Sequence, residues 1–147
     1  LFSSVNSSGV LYAEIAALAD DGTFRQLTLS DGTTNNRVAF RFTDQLNQIN
    51  GLVVSGGVNQ AVMNYTLTDA TAYNKIAIRW ALNDFSVWVN GSEVVTDNSG
   101  SVFSASTLND LSFHNPSGSS EKMNGKTRQV AVYNYLTDLQ MQNLTTP

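Results

Sequence analysis

The chain has 147 residues, enough for one domain with a sizeable core. Charged residues make up only 14% and the formal net charge is −4, with eight scattered basic residues, which argues against both a nucleic-acid footprint and an anionic membrane as partner. The absence of cysteine excludes disulfides, thiolate metal sites and cysteine nucleophiles.

Residues 1 to 8 form a polar lead-in. Val10 to Leu18 is apolar apart from Glu14 and fits helix or strand by periodicity; its place between Gly9 and Asp20-Asp21-Gly22 favours a strand. Phe24 to Leu29 is the next strand, with Phe24 out of register with Leu27 and Leu29 unless the strand starts after it. Asp31 to Asn36 is a turn-rich loop. From Arg37 to Phe42 the alternation is clean: Val38, Phe40 and Phe42 point inward, and Arg37, Ala39 and Arg41 outward. Ile49 to Val54 ends at Ser55-Gly56-Gly57, and Val58 to Leu67 sets Ala61, Met63 and Tyr65 against Gln60, Val62 and Asn64.

The central stretch, Asn74 to Val95, reads as two strands and the start of a third. Leu82-Asn83-Asp84 makes the first reversal. Asn90-Gly91 makes the second, because both residues tolerate positive φ. A two-residue loop there predicts that Val87 faces Val94 on the inner side and Trp88 faces Glu93 on the outer side. Trp80 belongs with Ile76 and Ile78 in the core. Asp97 to Gly100 is a loop, Thr107 to Phe113 a short strand, Asn115 to Gly125 a polar loop, and Lys126 to Tyr135 the last strand, with Tyr133 and Tyr135 packed towards the helix that follows. Thr137 to Leu144 is a helix with Thr137 as N-cap, Asp138 in its first turn, and an apolar stripe of Leu136, Leu139 and Leu144.

About ten short strands with frequent turns predict an all-β fold: a two-sheet antiparallel β-sandwich (jelly roll) with one short C-terminal α-helix. No repeat or linker divides residues 1–147, so one domain is expected, and its abrupt start at Leu1 suggests a module excised from a longer protein.

NKIAIRWALNDFSVWVNGSEV, residues 74–94, resembles the strand–turn–strand segment of laminin G-like and pentraxin-like domains. RQVAVYNYLTDLQMQNL, residues 128–144, resembles their closing strand and helix. The two matches lie in the expected order and cover the C-terminal half; the N-terminal strands agree in pattern only. The resemblance is to the concanavalin A-like lectin/glucanase superfamily, laminin G-like subtype. LYAEIAAL, LSDGTTNNRVAF and VVSGG are similar to modules at the ends of phage tail and other virion proteins. These likenesses imply two curved antiparallel sheets, a role in binding glycans or surfaces, and an extracellular or virion location.

Glucanases of this superfamily carry Glu-x-Asp-x-x-Glu on one strand, so that carboxylates share a face. No such triplet exists here: Glu occurs singly at positions 14, 93 and 121, and adjacent Asp20 and Asp21 point apart on a strand. Lyase motifs of the superfamily are also missing. The expectation is therefore a non-catalytic carbohydrate-binding module attaching a larger protein to polysaccharide or cell-surface glycan. A structural virion domain binding protein is one alternative, and an unrecognised glycoside hydrolase or lyase another. The structural alternative predicts a trimer, formed through the parent protein. His114 reads as a turn or edge residue.

Trp88 has two readings. On a polar strand face its ring suits the C–H-rich face of a sugar, with Arg79, Glu93, Arg41 and Asn64 as hydrogen-bonding neighbours. Alternatively it lies beneath the terminal helix in a second small core. The resemblance also raises structural Ca²⁺, for which Asp20, Asp21, Asp31 and Asp97 stand in loops, where Asp is in any case common.

Overall fold

A computed structural model describes residues 7–147. Residues 1–6 of the expected lead-in lie outside the described residues. Ten strands are followed by one helix. They are β1 (Gly9–Ala17), β2 (Arg25–Ser30), β3 (Arg37–Phe42), β4 (Gln48–Ser55), β5 (Val58–Thr66), β6 (Asn74–Ala81), β7 (Asp84–Val89), β8 (Ser92–Asp97), β9 (Asp110–Ser112), β10 (Gly125–Tyr133) and α1 (Asp138–Thr145). They form two five-stranded sheets, ordered β10-β1-β6-β7-β8 and β5-β4-β3-β2-β9, and the paired strands run antiparallel. The fold is an all-β sandwich with a single short C-terminal helix. Among the described residues no helix is long and apolar enough to cross a membrane.

Alternation builds the core. Leu11, Ala13 and Ile15 of β1, Ile76, Ile78 and Trp80 of β6, and Phe85 and Val87 of β7 line one inner face. Leu27 and Leu29 of β2, Val38, Phe40 and Phe42 of β3, and Ile49 and Val53 of β4 line the other. Trp80 is fully buried, as its aliphatic strand neighbours require. Gly51 of β4 faces Val87 of β7 across the core: a Cβ there would lie 2.6 Å from Val87 Cγ2.

The β7–β8 hairpin turns through Asn90 and Gly91, both at positive φ (48° and 88°), as a tight hairpin requires. Trp88 pairs with Glu93 as expected, but Val87 pairs with Val95 rather than Val94. The cause is a β-bulge between Val87 and Trp88 that leaves Val94 as the extra residue. Both Val94 and Val95 consequently reach the core.

Helix α1 begins with a capping box: the Gln140 amide donates to Thr137 Oγ1 and the Thr137 amide donates to Gln140 Oε1. Its buried face keeps Leu136 and Leu144 of the expected stripe but not Leu139. Met141 and Thr145 are fully buried, one helical turn apart, whereas Leu139 is 65% exposed, two positions from Met141 and on the far side. Tyr135 lies beyond the end of β10 and is exposed, so it does not share the packed position of Tyr133.

Candidate functional site

The outer faces of the two sheets differ in what covers them. On the β10-β1-β6-β7-β8 sheet, α1 does. Val10, Tyr12, Ala77, Trp88 and Met141 form a second core, with Leu136 and Leu144 packed against it. Trp88 is only 7% exposed, and its indole N–H donates to Ser86 Oγ at 3.1 Å. Of its two readings, the small core beneath the terminal helix describes its position. Arg79 is drawn into the same attachment. It donates to Asp138 Oδ1 (2.6 Å), to the Leu136 carbonyl (3.2 Å) and to Asp84 Oδ1 (3.4 Å), approaches Glu93 Oε2 at 3.8 Å, and stacks on Tyr135. The Tyr135 hydroxyl in turn donates to Asp84 Oδ2. Arg79, Trp88 and Glu93 are therefore neighbours, but the first two are spent on fixing the helix.

Arg41 and Asn64 lie on the opposite sheet, so the five expected site residues do not meet. Register brings other residues to Arg41. One row across the outer face reads Asn64, Asn50, Arg41, Gln26, and the next reads Val62, Leu52, Ala39, Thr28, Ser112. A third aligns Val54, Arg37, Ser30 and Asp110. The first row is wired by side chains: Arg41 Nη2 donates to Asn50 Oδ1 (3.4 Å) and Asn50 Nδ2 to Asn64 Oδ1 (2.8 Å). The middle row is exposed at Val62 and buried elsewhere, with Ala39, Leu52 and neighbouring Val54 forming a small apolar floor.

The loop between β9 and β10 folds over one side of this face. The Gln26 amide donates to the Glu121 carbonyl (3.0 Å), and Glu121 Oε2 accepts from Gln26 Nε2 (2.6 Å) and Asn115 Nδ2 (3.2 Å). Ser119, Glu121 and Asn124 take positive φ to make this path. Phe24 stands at the rim, 37% exposed, with the Arg41 guanidinium 5.5 Å from its ring centre. Thr23, Phe24, Ser119, Glu121, Lys122 and Asn124 border an open cleft of about 450 Å³ there.

Polar atoms are left over on this face. Arg37 Nε and Nη1, Arg41 Nε, Gln26 Oε1 and Thr28 Oγ1 are buried without a hydrogen-bond partner among the described residues. Each such atom costs about 1–3 kcal/mol, and most buried polar atoms in folded proteins are paired. Five of these atoms fall on this one face; Arg25 Nε, Arg79 Nε and Trp80 Nε1 are also unpartnered among the described residues. Burial, and then the charge of Arg41, press the Arg37 guanidinium below its usual pKa, against a smaller opposing effect of Glu121. Arg37, Gln26, Thr28, Asn50, Phe24 and Glu121 are the residues that sequence reasoning passed over. The available signal was the outward placement of Arg37 and Arg41 on one strand.

Of the carboxylates considered for Ca²⁺, Asp20 and Asp21 lie in the β1–β2 loop and Asp31 in the β2–β3 loop, whereas Asp97 is the last residue of β8; each is engaged by local donors. Asp20 accepts from the Asn47 amide, Asp31 from Thr33 and Asn36, and Asp97 from the Ser99 amide. Asp21 takes a two-pronged ion pair from Arg25, which holds its carboxyl well below the ordinary range. Among the described residues no group of three or more His, Cys, Asp or Glu side chains is assembled for a metal. His114 follows β9 in a bend, its Nδ1 2.9 Å from the Asn115 carbonyl oxygen.

No family model matches the chain, and no curated protein does. Solved structures match in fold. The CBM40 module of the Ruminococcus gnavus IT-sialidase, bound to α2,3-sialyllactose, superposes with a TM-score of 0.73 at 12% identity, over 94% of this chain and 82% of that one. A heptameric SAP-like pentraxin from Limulus polyphemus gives 0.71 at 13% identity, over 98% and 71%. The carbohydrate-binding module CBM66 of Bacillus subtilis gives 0.56 at 11% identity, over 89% and 77%. Some matches are whole sialidases, such as NanB of Streptococcus pneumoniae, of which this chain covers only 24%. At these identities the likeness is one of fold: a jelly roll shared with lectin-like modules.

Proposed function

We propose that the chain is a non-catalytic glycan-binding module that uses the outer face of β2, β3, β4 and β5. The observation that carries this reading is the set of unpartnered buried polar atoms on Gln26, Thr28, Arg37 and Arg41. Sugars offer hydroxyls to such groups and C–H surfaces to a ring such as Phe24. Arg41 and Asn64 keep the binding role expected of them, joined by Asn50, Gln26 and Arg37. Arg79 and Trp88 hold α1 in place, and Glu93 sits at the edge of that attachment. The fold likeness to carbohydrate-binding modules supports the same reading.

The module would attach a larger extracellular or virion protein to polysaccharide or cell-surface glycan. The part of this face that reaches solvent is small, Arg37 and Arg41 of β3 with Val62 and Asn64 of β5, so a single sugar chain binds weakly and several copies on one parent multiply the affinity. A glycan array, run with calcium and again with a chelator, tests this. Binding that Asn64→Ala or Gln26→Ala weakens supports it, and a blank array on folded protein overturns it.

A further inference from the structure

We infer that the site takes an acidic saccharide, whose oxyanion is held between the guanidinium groups of Arg37 and Arg41. This rests on the glycan-binding reading above and names the chemical class of the ligand.

The argument begins with how the arginines are partnered. Arg25 is paired with Asp21, Arg79 with Asp84, Glu93 and Asp138, and Arg128 with Glu14. Arg37 and Arg41 have no ion pair among the described residues, and both belong to the outer face of β3. A chain of net charge −4 has twelve acidic side chains to offer, yet none pairs with either guanidinium within ion-pair distance. The two charges are close enough that Arg41 disfavours the protonated form of Arg37.

Between them on the strand stands Ala39, with no side chain beyond Cβ to fill the gap. Among the described residues three buried guanidinium nitrogens, Arg37 Nε and Nη1 and Arg41 Nε, have no acceptor. A neutral sugar would give these N–H groups acceptors but leave two like charges facing each other. An oxyanion does both: it accepts from the forks and cancels the repulsion, with bidentate geometry that guanidinium is shaped for. Both arginines are half-buried, so part of each side chain meets solvent. The rest of the face suits the remainder of a sugar. Exposed Asn64 shares a row with Arg41, and the part-exposed ring of Phe24 lies beside that arginine.

Carboxylate and sulfate esters share this chemistry, and the test separates them. The folded protein is titrated calorimetrically with 3′-sialyllactose and oligogalacturonate, with their carboxyl-reduced counterparts, with sulfated lactose, and with lactose. The same titrations are run on Arg37→Gln, Arg41→Gln and Arg41→Lys, each first shown to unfold near the native midpoint. The expected result is an acidic ligand bound about tenfold or more tighter than its reduced or neutral partner, a preference lost in both Gln variants. Arg41→Lys retains part of that preference, because it keeps the charge but not the fork. Added salt weakens the acidic ligand selectively. Binding of the sulfated ligand alone supports the inference and assigns sulfate as the source. Equal binding of acidic and neutral ligands, unchanged in the Gln variants, overturns it while leaving glycan binding intact. No binding of any saccharide, on this panel and on the array, overturns the underlying reading as well.

Discussion

Arg79 Nη1 and Asp138 Oδ1 are 2.6 Å apart, and this bond fastens the first turn of α1 to the outer face of β6. The arginine end is buried and the aspartate end is 73% exposed. The two ends therefore differ in what their removal does. Arg79→Ala strips one side chain from several partners at once and should lower stability by about 1–3 kcal/mol. Asp138→Asn should cost less than about 1 kcal/mol, since its carboxylate is solvated. Denaturant midpoints measure both, and neither substitution should shift saccharide affinity, because the helix lies on the sheet opposite the proposed site. A matching loss of affinity in Asp138→Asn would relocate the site.

Trp88 and Trp80 are both buried, at 7% and 0% exposure. Native emission should be blue-shifted and poorly quenched by acrylamide. Trp88→Ala opens a cavity beneath α1 and should destabilise the fold by about 3–5 kcal/mol, while Trp88→Phe should cost much less. Strong acrylamide quenching of the native protein would place Trp88 at the surface and restore it as a sugar platform.

Gly51 faces Val87 across the core, with no room for a methyl group at 2.6 Å from Val87 Cγ2. Gly51→Ala should destabilise by about 1–3 kcal/mol through overpacking. Pairing it with Val87→Ala should recover part of that loss, which a double-mutant cycle of unfolding midpoints reads directly.

Acid should release the loop before β2. The Asp21 carboxyl is held below its ordinary pKa by the Arg25 hydrogen bonds, then by those of Thr23. A depressed folded pKa adds stability above the unfolded carboxylate pKa, near 4, and loses it as pH falls further towards the folded value. The stability difference between the native chain and Asp21→Asn should thus be flat from about pH 5 to 8 and shrink below about pH 4. A difference that persisted unchanged into strong acid would sink this account.

What was legible in the sequence was what neighbouring residues decide. The Asn90-Gly91 turn, the Thr137 cap and the alternation of β3 are local, and each appears where expected. The bulge at Trp88 follows no local rule, so Val87 was matched with Val94 instead of Val95. The helix stripe holds at Leu136 and Leu144 and departs at Leu139 for a related reason: the sheet beneath selects the face, and Met141 meets Trp88 and Tyr12. Period 2 placed Arg37, Arg41 and Trp88 outward correctly, but it does not tell what lies over a face. One outer face is covered by a helix from the end of the chain. The other is flanked by Glu121, which reaches Gln26 from 95 positions away.

The position of β1 between β10 and β6 governs time as well as shape. Val10 pairs with Tyr133 on one side and Arg79 on the other, so the first strand is completed only by the last. Such distant pairings must close large loops before they gain anything, which places folding in the slow, millisecond-to-second class of β-sandwiches. During synthesis β1 waits, one edge unpaired, until β10 has left the ribosome. A chain stopped before β10 would keep that edge open, and its expected fate is aggregation rather than a smaller working module.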